Sequence, residues 1–482
     1  MMEDRKMSSS TKLSAKDRIT ALLDNNSFVE IGALVTKRNT DFDLHQKDAP
    51  SDGVITGYGL IDGNLVYVYS QDASVLNGTV GEMHARKIVR LYELALKVGA
   101  PVIGLADCAG IRLEEATDAL AAFGDIFKKQ TMASGVIPQI TAIFGTCGGG
   151  SAISAALSDV TFMAKEQAKL FVNTPNVLEG NYTAKCDTAS AAYRAEQGLV
   201  DVVAENEEAV LENIRTLITL LPSNNEAETS IDCTDDLNRA VSYAALSADP
   251  AKALADLSDD NFFFELKSSY AKEMVTGFIR LDGMTVGAVA NRTSLTDENG
   301  KEIAKYENVL TADGCAKAEH FVKLCDAFGI PVVTFSNVNG YKATMAEEGR
   351  IATAAAKLTY AFAGATVPKV NVISGEAMGS TYIVMNSKHI GADMVFAVEG
   401  AAIGMMNADL AAQILCPDAT AEEKKAAAAS YASLQQSAES AAKRGYVDAI
   451  ISADSVRQQL AYTFGMLYSK RETQPAKKHG TV

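Results

Sequence analysis

The chain has 482 residues, room for about three ordinary domains or two large ones at roughly 150 residues each. Its 48% hydrophobic and 22% charged residues, with 35 Gly and 10 Pro, describe an ordinary globular protein and exclude a disordered or collagenous one. Lys and Arg number 44 against 60 Asp and Glu; the formal net charge of −16 argues against a general nucleic-acid binder but leaves room for a local basic pocket for a phosphorylated ligand.

Met1 to Thr20 mixes Glu3, Asp4, Arg5 and Lys6 with a serine run and has no apolar stretch, so it reads as neither secretory signal nor anchor, and the expected location is cytoplasmic. "LLDNNSFVEI" from Leu22 places an acidic turn before an aromatic strand. Val54 to Ser70 reads as a hairpin closed by Asp62-Gly63. Ile88, Leu91, Tyr92 and Ala95 then form one face of an amphipathic helix, and a short buried strand follows Pro101. Between Ala133 and Val160 the only charge is Asp159, a run long enough to raise a membrane span. Pro138, Gln139 and Gly148 to Gly150 divide it instead into strand, tight turn and helix start. Arg86 and Lys87, at a helix start, read as a solvated face, and His84, His320 and His389 as ordinary helix or loop residues without a partnered nucleophile. Seven scattered cysteines, never in C-x-x-C spacing, indicate reduced thiols with neither a zinc site nor a disulfide framework.

The most informative feature is a long-period repeat. Val54 to Ser70 answers Met274 to Ala290 at an offset of 220. "VGAPVIGLADCAG" from Val98 answers "FGIPVVTFSNVNG" from Phe328, and "IPQITAIFGTCGGGSAISAAL" from Ile137 answers "VPKVNVISGEAMGSTYIVM" from Val367, both at an offset of 230. The helix face of Ile88, Leu91, Tyr92 and Ala95 answers Ala318, Phe321, Val322 and Cys325, and "LSDDNFFFEL" from Leu257 answers the opening strand. The chain therefore divides into two homologous α/β halves, with domains expected over 1–225 and 245–482. The polar stretch "PSNNEAETSIDCTDD" lies between them. The element order predicts βαβ crossovers and a mainly parallel sheet in each half.

Ligands in such sheets lie beyond the carboxyl ends of the strands, where helix N-termini present N–H groups. The first half offers Gly145 to Gly150 with a helix beginning near Ser151; the second offers Ser374 to Ser380 with a helix near Thr381. Small residues there admit a substrate carbonyl oxygen to the backbone, and converging amides stabilise an oxyanion. One such turn alone reads as close helix–strand packing; two at matching places in a duplicated chain point to function.

These segments, with "DGVITGYGLIDGNLVYVYSQD", "GEMHARKI", "GIRLEEATDALAAFGDIF", "FVKLCDAFGIPVVTF" and "MNSKHIGAD", resemble the carboxyltransferase component of biotin-dependent acyl-CoA carboxylases and decarboxylases, of the propionyl-CoA carboxylase beta and methylmalonyl-CoA decarboxylase alpha type. The resemblance covers nearly the whole chain, in order. It implies two tandem crotonase-like (ClpP/crotonase) domains, acyl-CoA bound by the first and biotin by the second. It also implies a homodimer or higher homo-oligomer. Gly149 and Gly150 would bind the thioester oxygen, and Ser380 and Thr381 the ureido oxygen of biotin. Gly110, Arg112, Tyr382 and Ile383 would line the substrate; Arg112 is a cation for CoA phosphate or, equally, the salt-bridge partner of Glu114 or Glu115.

The chain departs from the family pattern at Ala109-Gly110-Ile111-Arg112, Asn339-Gly340-Tyr341 and Gly379-Ser380-Thr381-Tyr382-Ile383, where residues bearing β-carbons enter a backbone site and Ile383 replaces the usual Asp. It carries neither a biotin-attachment Ala-Met-Lys-Met nor a glycine-rich ATP-binding segment, so a biotin carboxyl carrier protein, and a biotin carboxylase or a membrane sodium-pump decarboxylase subunit, are expected as separate chains. Two other readings remain: a biotin-independent crotonase-like hydrolase or isomerase with Glu376 or Glu115 as base, and a non-catalytic assembly subunit.

Overall fold

Asp62 and Gly63 both take positive φ (49° and 79°), as do Asp282 and Gly283 (53° and 74°), the conformation that joins two twisted strands through a two-residue turn. Around these hairpins the computed structural model, described over residues 12–38, 46–241, 248–297 and 299–475, builds two eight-stranded sheets of matching order. The first contains β1 (Val29–Ile31), β2 (Val54–Ile61), β3 (Asn64–Gln71), β4 (Val102–Cys108), β5 (Gln139–Gly148), β6 (Val160–Ala164), β7 (Lys169–Phe171) and β8 (Val202–Ala204). Its order is β1-β2-β3-β4-β5-β6-β8 with β7 beside β5; the first three strands are antiparallel, and the pairs from β3 onward are parallel.

The second sheet uses β9 (Phe264–Leu266), β10 (Met274–Leu281), β11 (Met284–Asn291), β14 (Val332–Asn339), β15 (Lys369–Met378), β16 (Met394–Val398), β17 (Ala402–Gly404) and β18 (Ala449–Ile451). Read from β9 it runs β9-β10-β11-β14-β15-β16-β18 with β17 beside β15, the same path. A small ribbon of β12 (Ser294–Thr296) and β13 (Glu302–Lys305) is added in this half.

The principal helices are α1 (Ala15–Leu22), α2 (Glu82–Val98), α3 (Ala116–Ala133), α4 (Gly150–Ala156) and α5 (Glu207–Leu220) in the first half. The second half has α6 (Pro250–Leu257), α7 (Ala312–Ala327), α8 (Ile351–Gly364), α9 (Gly379–Val384) and α10 (Val456–Leu467). Every residue of β4 and β6 is buried, the signature of a parallel strand covered on both faces. The two corresponding helix faces are buried as their spacing predicts, from Ile88 to Ala95 in α2 and from Ala318 to Cys325 in α7. Contacts divide the chain between Glu228 and Thr229. The later part of the connector joins the second unit, where Asp235 pairs with Arg239 and with the buried Arg457, both at 3.1 Å. Among the described residues no helix is long and apolar enough to cross a membrane.

Candidate active site

In the first half, β4 and β5 end side by side and their outgoing loops pack on each other. A β-carbon on Gly110 would lie 3.3 Å from the Gly148 carbonyl oxygen, and one on Gly148 would lie 3.2 Å from that of Ala109. Gly110 (φ 119°) and Gly149 (φ 57°) both hold conformations that side-chain-bearing residues avoid. The chain thus leaves β5, turns at Gly149 and enters α4 at Gly150 against the ring of Phe123.

The second half repeats this construction. Gly340 (φ 103°) stands 230 residues after Gly110, and Gly379 (φ 62°) stands 230 after Gly149. Thr381 is fully buried; its hydroxyl donates to the Met378 carbonyl (2.6 Å) and accepts from the Gly340 amide (3.3 Å). Ser380 is exposed, and Tyr341, after β14, is half-buried.

The amides decide which residues are donors. Gly149 N–H is already committed to the Phe171 carbonyl in β7 at 2.9 Å, so Gly149 supplies the turn and not a donor. Gly150 and Ser151 head α4, where an N–H lies ahead of the intrahelical ladder. The same offset of 230 sets Gly150 and Ser151 opposite Ser380 and Thr381, the donors expected in the second half. Gly149 and Gly150 are the pair expected from the sequence; with the Gly149 amide engaged, we propose Gly150 and Ser151 as the donors. Applying the repeat offset to Ser380 and Thr381 would have found Ser151.

Arg112 takes the salt-bridge role, one of the two expected for it. It is 1% exposed, its guanidinium bonds Asp52 at 2.6 Å and Glu115 at 2.9 Å, and it donates to the Thr79 carbonyl at 2.7 Å. A cation so enclosed braces the loops before α2 and α3 and has no face left for a CoA phosphate. Glu115, equally buried, also accepts from the Glu82 amide, which removes it as a base. His84 donates its backbone N–H to Asp52, and its ring contacts the Asp52 carbonyl and Gln71; burial pushes the imidazole down to about 3, so it stays neutral. Lys87 is not solvated as its position suggests. It is buried, donates to the carbonyls of Ser51 and Val54, and desolvation pulls its ammonium down to about 8. Lys317, 230 residues later, does the same to Lys267 and Tyr270.

Tyr382 packs its ring in the core with Ile373, Ala377 and Val395, edge-on to His389, and its buried hydroxyl meets no partner among the described residues. Ile383, one residue on, is 40% exposed. Glu376, on the last turn of strand before Gly379, accepts from Asn308 at 2.9 Å.

Residues 6–482 match the family model for the carboxyl transferase domain. The chain belongs to the carboxyl transferase family. It is 38% identical over 499 residues to the methylmalonyl-CoA decarboxylase subunit alpha of Propionigenium modestum, covering 99% of this chain and 94% of that one. It is likewise 38% identical to the mitochondrial propionyl-CoA carboxylase beta chain of Rattus norvegicus, covering 98% and 88%. A transcarboxylase 12S structure, described as a hexamer assembly with hydrolysed methylmalonyl-coenzyme A bound, superposes with a TM-score of 0.91 at 33% identity, covering 98% of this chain and 92% of that one. This carboxyltransferase is thus of the propionyl-CoA carboxylase and methylmalonyl-CoA decarboxylase type, and its crotonase-like fold is the one the repeat and the resemblance lead one to expect.

Proposed function

We propose that the first half binds a short acyl-CoA, the second half binds biotin carried on a separate carrier protein, and the enzyme moves a carboxyl group between them. The observation that carries this reading is the duplicated turn, with Gly149 and Gly379 both at positive φ (57° and 62°) and the proposed donor pairs Gly150-Ser151 and Ser380-Thr381 in register behind them. A thioester oxygen gains negative charge as its α-carbon becomes a nucleophile, and two fixed amides stabilise that charge without reorganisation. The amides of Ser380 and Thr381 offer the same service to the ureido oxygen. When bound, biotin supplies or accepts the carboxyl group at its ureido nitrogen.

The second-half turn fits such a ring. The β-carbon of Thr381, a departure from the family pattern, points its side chain inward to Met378 and Gly340 and is absorbed by the protein interior. No side-chain base is required. Glu115 and Arg112 neutralise each other in the interior, and His84 is held neutral away from solvent. The same donors serve carboxylation of acetyl-, propionyl- or butyryl-CoA and decarboxylation of the products. The partners are accordingly a biotin carboxyl carrier protein with either a biotin carboxylase or a membrane decarboxylase subunit, and we place the reaction in the cytoplasm.

Purified protein incubated with methylmalonyl-CoA or malonyl-CoA and free biotin should lose the CoA-borne carboxyl group at a rate that depends on biotin. Acyl-CoA turnover that ignores biotin would replace this reading with a hydrolase or isomerase using Glu376; no turnover with any acyl-CoA would leave an assembly subunit.

A further inference from the structure

Each half fastens the loop after its central strand to the first turn of its donor helix, and the two fastenings differ chemically. In the second half the link is direct: the Gly340 amide donates to the Thr381 hydroxyl. Their counterparts, Gly110 and Ser151, are joined through a sulfur. The Gly110 amide donates to Cys108 Sγ at 3.3 Å, the Ser151 hydroxyl donates to the same sulfur at 3.2 Å, and the thiol donates to the Gly110 carbonyl at 3.4 Å. This uses the sulfur within its capacity as a weak donor and acceptor. The residue 230 positions after Cys108 is Val338, which has no polar atom to offer. Cys108 and Thr381 are each fully buried and Ser151 nearly so, so water does not substitute for either link.

We propose that Cys108 with Ser151, and Thr381 alone, are positioning clasps that set the two donor pairs independently, the thiol clasp serving the acyl-CoA side and the hydroxyl clasp the biotin side. The assignment of sides rests on the carboxyl-transfer reading; the existence of the clasps does not. Burial holds the Cys108 thiol above its ordinary range, which keeps its proton available to Gly110.

Hydrogen–deuterium exchange on the intact protein reads the clasps directly. Cys108→Val should speed exchange in the peptide containing Gly110 by roughly five- to tenfold, the scale of one lost hydrogen bond, and leave the peptide containing Gly340 unchanged. Thr381→Val should do the reverse. Cys108→Ser and Thr381→Ser, which restore an acceptor, should stay within about twofold of the parent. In steady-state assays Cys108→Val should alter kcat and the KM for acyl-CoA and leave the KM for biotin, with the opposite split for Thr381→Val. Unchanged exchange in both valine variants, or equal acceleration in both halves, overturns the clasps. Localised exchange with no kinetic split retains the clasps and overturns their assignment to sides. A parent enzyme lacking biotin-dependent turnover instead defeats the functional reading while the exchange result still judges the clasps.

Discussion

A β-carbon on Gly150 would come within 3.0 Å of the Phe123 ring, tighter than side chains normally pack, so a branched side chain there should displace the head of α4. Gly150→Val should therefore keep its fold by circular dichroism yet lose about 10²- to 10³-fold in kcat, the scale of a lost oxyanion donor. Full activity in a folded variant would remove Gly150 from the site. Ile383 tests the acyl pocket that the family resemblance implies. Its side chain is apolar and 40% exposed beside the donor turn, where a carboxylate would order polar groups. We expect preference for saturated, uncharged acyl chains, with each buried methylene adding about 1 kcal/mol of discrimination. Ile383→Asp should change the kcat/KM ratios among acetyl-, propionyl- and butyryl-CoA; identical ratios in both proteins would place Ile383 outside the pocket.

At the scale of elements, the two halves share scaffolding but not its charge balance. In each sheet, aspartates cap the incoming strands: Asp159 accepts from Gln139 N–H and Asp201 from Thr161 N–H in the first, Asp393 from Lys369 N–H and Asp448 from Val395 N–H in the second. Lys470 neutralises Asp393 at 2.8 Å and Lys388 neutralises Asp448 at 2.5 Å, whereas no lysine or arginine pairs with Asp159 among the described residues. Burial, with Asp201 adding to it, pushes the Asp159 carboxyl up to about 7. A carboxyl whose folded pKa lies above its unfolded value stabilises the fold below the unfolded value and loses that contribution as pH rises through the folded one. Asp159→Asn keeps the acceptor and cannot ionise. Its melting temperature relative to the parent should thus climb between pH 5 and pH 8; a difference independent of pH would mean that Asp159 is already ionised at pH 5.

For the whole molecule, the loops beyond the parallel strands carry large apolar side chains in the open. Leu113 (83% exposed) and Val172 (57%) follow β4 and β7, and Met345 (96%) and Met405 (72%) follow β14 and β17. In each half, exposed apolar side chains of this size call for a cover. We expect that cover to come from further copies of the chain, so light scattering should report a mass that is a multiple of 51.0 kDa. An active monomer would contradict it. The presence of two halves was legible beforehand because an Asp-Gly hairpin, a helix face and a glycine turn each leave a local mark, and each mark occurs twice. The two strand-to-helix turns were legible for the same reason.

The sequence by itself determined the duplicated α/β architecture, the strand-to-helix turns and the family, since these depend on periodicity and short motifs read along the chain. Only the tertiary structure decided which groups remain available for chemistry. Gly149 commits its amide to Phe171, Arg112 pairs its guanidinium with Asp52 across 60 residues of sequence, and Lys87 leaves the surface for carbonyls more than 30 residues away. Such commitments are set by neighbours brought together in space. A buried hydrogen-bonding group must find a partner wherever the fold supplies one, and no local pattern records which partner that will be.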